Sequence, residues 1–131
     1  MIGLYHYTCQ HGHDAIGEAG TLLAPEQVQP GHATRLPPHM RELSWFIWLT
    51  DLDVAHPHAL GLTRRYLSCD RTRHRYRVAD TCDARRWIDL RASCHPEMVA
   101  ELESAPGAMP VHWWAATHPV RVHYAPPERQ P

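Results

Sequence analysis

The chain has 131 residues, 44% of them apolar, which suits one domain with a buried core. Its thirteen basic residues are all arginine and fourteen acids bring the formal charge to −1, so wholesale electrostatic attraction to nucleic acid is not implied. No stretch approaches the ~20 apolar residues of a membrane span.

The opening Met1-Ile2-Gly3-Leu4-Tyr5 lacks a basic start and a long apolar run, so a signal peptide is not expected. Cys9, Cys69, Cys82 and Cys94 form no CxxC pair and read as reduced thiols of a cytoplasmic protein with no membrane partner.

Residues 3–8 alternate and are rich in strand formers, which predicts a first strand. Residues 11–20 predict a short helix stopped at Gly20, followed by an extended Thr21-Leu22-Leu23. Five Pro or Gly residues between Pro25 and Glu42 predict a long surface loop carrying His32, Arg35, His39 and Arg41. Loops of that length often lie over a site.

Ser44 to Thr50 is apolar on both faces and predicts a central strand covered on both sides. A turn over 51–58, a helical turn from Pro57 and an extended piece over 64–69 follow. Arg71, Arg73, Arg75 and Arg77 then recur with period two. On a strand they would share one face at about 6 to 7 Å spacing, close to that of phosphates on an extended nucleic acid. Two alternatives stand beside this: a solvated face paired with Asp51, Asp53, Asp70 or Asp80, and a turn that leaves only Arg75 to Val78 in the sheet.

Asp83 to Leu90 is ambiguous. His95 to Glu103 reads as a helix with proline in its first turn, and 111–116 and 120–124 read as strands. The expected architecture is a single α+β domain over 1–125, with a twisted, mostly antiparallel split sheet and two or three short helices. A proline-rich tail covers 126–131.

Tyr5-His6-Tyr7-Thr8, the helix ending at Gly20, Leu22-Leu23 and the later Trp48-Leu49-Thr50-Asp51 carry a family resemblance. Over residues 4–23 and 45–51 the chain resembles ADP-ribosyltransferase-fold proteins, especially the DarT-type toxins that modify DNA bases. It is also similar to the RNA 2′-phosphotransferases. The resemblance implies an NAD-binding cleft between two halves of a sheet and transfer of ADP-ribose to nucleic acid or protein. It implies that His6 contacts the nicotinamide ribose or amide with help from Thr8. It further implies that Tyr7 or Trp48 stacks on nicotinamide beside Thr50, and that an arginine such as Arg75 meets the pyrophosphate.

Relatives carry a glutamate on or near a late strand, whereas Trp113 to Val120 contains no acid. Glu103 and the tail's Glu128 are the candidates for that role. A carboxylate beside His6 in space would favour an enzyme. Its absence would favour a non-catalytic module that engages an acidic partner or nucleic acid through an arginine face. A buried strand histidine satisfied by a carbonyl is the plain alternative for His6. Zinc on His6, Cys9, His11 and His13 is a further, unfavoured option, because that spacing is no standard signature.

Overall fold

A computed structural model describes residues 3–17, 20–54, 56–61, 70–80 and 82–126. The expected extended piece over 64–69, Cys69 and Glu128 fall outside them. The strands are β1 (Tyr5–Thr8), β2 (Thr21–Leu22), β3 (Ile47–Thr50), β4 (His74–Val78), β5 (Arg85–Arg86), β6 (Trp113–Ala116) and β7 (Val120–Tyr124). Among the described residues four short α-helices accompany them: α1 (Gln10–Ile16), α2 (Pro25–Val28), α3 (Trp87–Leu90) and α4 (Pro96–Glu103). All pairings are antiparallel and the sheet order is β2-β7-β4-β1-β3-β6-β5, which makes the chain α+β.

The helix expected over 11–20 begins one residue earlier and ends at Ile16. Gly20 sits at φ 63° and donates its N–H to the Ile16 carbonyl (2.9 Å), so this glycine does mark the exit of the helix. Gly12 is needed for a different reason. A Cβ there would lie 1.9 Å from Thr8 Oγ1, so α1 approaches β1 more closely than any side chain allows.

The loop expected from Pro25 to Glu42 is instead largely helical. It holds α2 and two 3-10 helices, Ala33–Arg35 and Pro38–Trp45. Proline stands in the first turn of both α2 and the second 3-10 helix, where its missing N–H is harmless. Glu26 accepts hydrogen bonds from the N–H groups of Gly31 (2.9 Å) and Ala33 (2.7 Å), and these bonds hold its carboxyl below the usual range. The central strand consequently starts at Ile47 rather than Ser44, and Trp45 is left half-exposed at the end of the 3-10 helix.

β3 does divide two cores. Ile47 and Leu49 join Leu22, Tyr76, Val120 and Val122 in the first, which spans both halves of the sheet. Phe46 joins Trp87, Met98 and Trp113 in the second, with Trp48 packed against it. Trp87 and Met98 are fully buried, and burial of such a side chain is worth about 1.5–3 kcal/mol. The ambiguous segment before Leu90 resolves into the edge pair Arg85–Arg86 and then α3, with Trp87 as its inward anchor. α4 matches its expected span closely, and the N-cap His95 accepts from the Glu97 N–H.

Candidate functional site: a cleft at the seam of the sheet

Seven strands form one sheet, but the sheet has a weak seam. β1 makes four residue pairs with β4, and β3 makes four with β6. Between β1 and β3 there is a single pair, Tyr5 with Thr50. Past that rung a side chain takes over from the backbone. The Nδ1–H of His6 donates to the Trp48 carbonyl at 2.8 Å.

A cavity of about 530 Å³ opens at this seam, within the range of small-molecule sites. Its walls include Tyr5, His6 and Tyr7 from β1 and Trp48 and Thr50 from β3, with Trp113 of β6 behind them. The proline-rich segment covers it, contributing His32, Leu36 and Leu43. The segment therefore does lie over a cleft, although as short helices.

Because a carbonyl can only accept, His6 must carry its hydrogen on Nδ1, which leaves Nε2 with a bare lone pair when the ring is neutral. Burial pushes the His6 imidazole below its ordinary pKa, and the nearby Arg71 guanidinium adds to this. The bond to Trp48 works in the opposite direction and is outweighed. His6 is thus a neutral hydrogen-bond acceptor at the cleft, with no partner on Nε2 among the described residues.

Arg71 also lines the cleft, is exposed, and has no hydrogen bond or ion pair among the described residues. His32 lines it too, with Nδ1 2.6 Å from the hydroxyl of the fully buried Ser44. No aspartate or glutamate lines the cleft among the described residues. A hydrophobic wall with one neutral acceptor and one unneutralised cation suits an aromatic ligand that carries anionic groups.

The other expected site residues are spread more widely. Tyr7 is buried against the cleft and its hydroxyl donates to the Leu52 carbonyl (2.9 Å). Thr50 lines the cleft, but its hydroxyl donates to the His112 carbonyl (2.8 Å) and accepts from the Leu52 N–H (3.2 Å). Thr8 is buried beneath α1 beside Gly12 and is not part of the cleft wall.

Glu103 lies away from His6. Its carboxylate accepts from the Trp87 indole (3.1 Å) and the Arg91 guanidinium (2.7 Å), and it faces a separate shallow cavity beside Cys94. The Cys94 thiol is pushed up to about 11 by burial and by Glu42, so it is no nucleophile.

The four arginines do not form one ladder. Asp70 accepts from the N–H and hydroxyl of Thr72, which builds a turn containing Arg71 and Arg73 and leaves Arg75 and Arg77 in β4. Arg75 sits 5.0 Å above the Tyr5 ring. Its guanidinium donates to the carbonyls of Ala125 (2.7 Å), Asp53 and Pro126 (3.3 Å). It is occupied in tying three segments together, and Arg71 is the arginine that faces the cleft. The turn alternative was already written in the sequence, in Asp70 and Thr72.

His6, Cys9, His11 and His13 do not converge. His6 bonds to Trp48, His13 bonds to the Tyr76 hydroxyl (2.6 Å), and Cys9 Sγ lies 4.0 Å from His11 Nδ1. Among the described residues no group of three or more His, Cys, Asp or Glu is placed to hold a metal ion. Cys82 and Cys94 are free thiols. No helix among the described residues is long and apolar enough to cross a membrane.

Compared with known proteins, the chain matches no family model, no curated protein and no solved structure.

Proposed function

We propose that the cleft is a nucleotide site of the ADP-ribosyltransferase type, taking NAD as its ligand and serving transfer of ADP-ribose to nucleic acid or protein. The observation that carries this reading is the joint presence, in one aromatic-walled cleft, of a neutral His6 acceptor and an Arg71 with no ion-pair partner among the described residues. His6 Nε2 accepts from a ribose hydroxyl or the carboxamide, Tyr7 and Trp48 offer flat apolar surface to the nicotinamide ring, and Arg71 meets the pyrophosphate. NAD, when bound, supplies the glycosidic bond whose rupture releases nicotinamide.

A second reading shares the cleft. The lack of a carboxylate along its described wall favours a module that holds the nucleotide without consuming it. The two are separated by one pair of assays on wild type, His6→Ala and Arg71→Ala. The first is NAD binding by calorimetry. The second is nicotinamide release by mass spectrometry with and without DNA, RNA or cell lysate. Binding and release lost in both variants supports the enzyme, and the additive that accelerates release names the acceptor. Binding without release supports the module. Absence of NAD binding by wild type overturns both.

A further inference from the structure

Away from the cleft, α1 is fastened to β4 and β7 by two histidines stacked face to face. The rings of His13 and His74 lie 3.9 Å apart and 8° from parallel. His74 Nδ1 is 2.9 Å from the Tyr124 hydroxyl and its Nε2 is 2.8 Å from Gln10 Oε1. Gln10 turns its amide nitrogen to Asp14 (2.8 Å), which orients its oxygen towards His74. His13 Nδ1 is 2.6 Å from the Tyr76 hydroxyl.

Every one of these contacts is satisfied with both rings neutral. Gln10 Oε1 accepts from His74 Nε2–H, and the two tyrosine hydroxyls donate to the two Nδ1 lone pairs. A first proton is tolerated, because a tyrosine oxygen can also accept. A second would set two like charges face to face at van der Waals distance.

We propose that the His13–His74 stack is a pH-operated fastener, holding α1 on the sheet near neutrality and releasing it when both rings are driven to bind protons. The surrounding charges do not rescue the doubly charged state. Asp14 on α1 and Asp70 before β4 favour a proton on His74, but burial, the His13 ring and Arg73 outweigh them. Burial raises the Tyr76 pKa further above its ordinary value, so its hydroxyl stays neutral in this range. Burial and the neighbouring His13 lower the His74 pKa, in keeping with the geometry. Since the folded form disfavours the proton, this contribution to stability is complete above about pH 6.5 and is lost as the pH falls below it. Release would also loosen the end of β1, because Gly12 of α1 seats Thr8, two residues beyond His6.

The test uses the full chain and does not depend on any ligand. Histidine ring signals are followed by NMR from pH 8 to 5, with amide hydrogen exchange of α1 measured over the same range. We expect His74 to take up its proton at a lower pH than an ordinary imidazole, and its ring signals to shift together with the opening of α1. After correction for intrinsic rates, α1 amides should lose at least about tenfold protection relative to β3 and β6 by pH 5.5. His74→Gln keeps polar partners without a titratable charge and should abolish that acid-dependent loss. Should it fail to fold, Tyr124→Phe removes one hydrogen bond and should raise the pH at which α1 opens. A His74 that titrates as an ordinary imidazole, or α1 protection that tracks the sheet at every pH, overturns the proposal.

Discussion

The imidazole of His6 and the carbonyl of Trp48 are joined at 2.8 Å across the place where β1 and β3 stop pairing. One bond therefore fixes the histidine tautomer and ties the two halves of the sheet. His6→Ala should leave the Trp48 carbonyl without its partner and lower stability by about 1–3 kcal/mol in urea unfolding. The pH dependence has a definite sign. The folded pKa of His6 is lowered, so its contribution is complete above about pH 6.5 and falls as acid is added. Wild type should lose stability between about pH 6.5 and 5, and His6→Ala should show a flatter curve over that interval.

Arg71 and Arg75 are four residues apart and should respond oppositely to truncation. Arg75→Ala removes bonds to Asp53, Ala125 and Pro126 and the contact with Tyr5, so a loss of about 1–3 kcal/mol is expected by thermal or urea unfolding. Arg75→Lys should rescue little of it, because an ammonium cannot reproduce the planar fork. Arg71→Ala should leave the melting temperature within about 1 °C of wild type, as exposed unpaired side chains contribute little. Its effect should appear in nucleotide affinity, as a loss of about tenfold that is itself sensitive to salt.

Glu103 separates a catalytic role from a structural one. It receives hydrogen bonds from the buried Trp87 indole and from Arg91. Glu103→Ala should destabilise by about 1–3 kcal/mol, largely by stranding the indole N–H, while NAD affinity measured on the folded protein stays unchanged. A loss of nicotinamide release at intact stability and affinity would return Glu103 to the chemistry.

Asp83 contributes to the acid limb. Burial disfavours its charge, but hydrogen bonds from the side chains and N–H groups of His118 and Thr117 outweigh that and hold its pKa at about 2. Its contribution is therefore present above the ordinary value of 3.8 and is lost as the pH falls towards 2. With its side chain 35% exposed, solvent screening limits the effect. Asp83→Asn should cost about 1 kcal/mol at neutral pH and erase that part of the acid transition.

Sequence pattern carried the sheet further than it carried the site. β3 and β7 were legible because apolar runs and alternation report burial directly. The segment after Pro25 was not, because its short helical turns are set by particular caps such as Glu26 on Gly31 and Ala33, which leave no periodic trace. His6, expected from the family resemblance to contact a ligand, lines the cleft wall. Arg71 rather than Arg75 faces the cleft because a turn at Asp70 breaks the two-residue period. Trp87 gave no signal of its own; its burial follows from α3 docking among Phe46, Trp48 and Trp113, a contact made over long sequence distances.

The single rung between Tyr5 and Thr50 gives the molecule a compliant axis. Along one side the first core, with Leu49 from one half and Val122 from the other, acts as a spine. The opposite side is held by that rung, the His6 bond and the bonds of Tyr7 to Leu52 and Arg75 to Asp53. A ligand lodged there would grip both leaves and become the stiffest brace between them. Occupancy would then be recorded mechanically, as resistance to opening along one line.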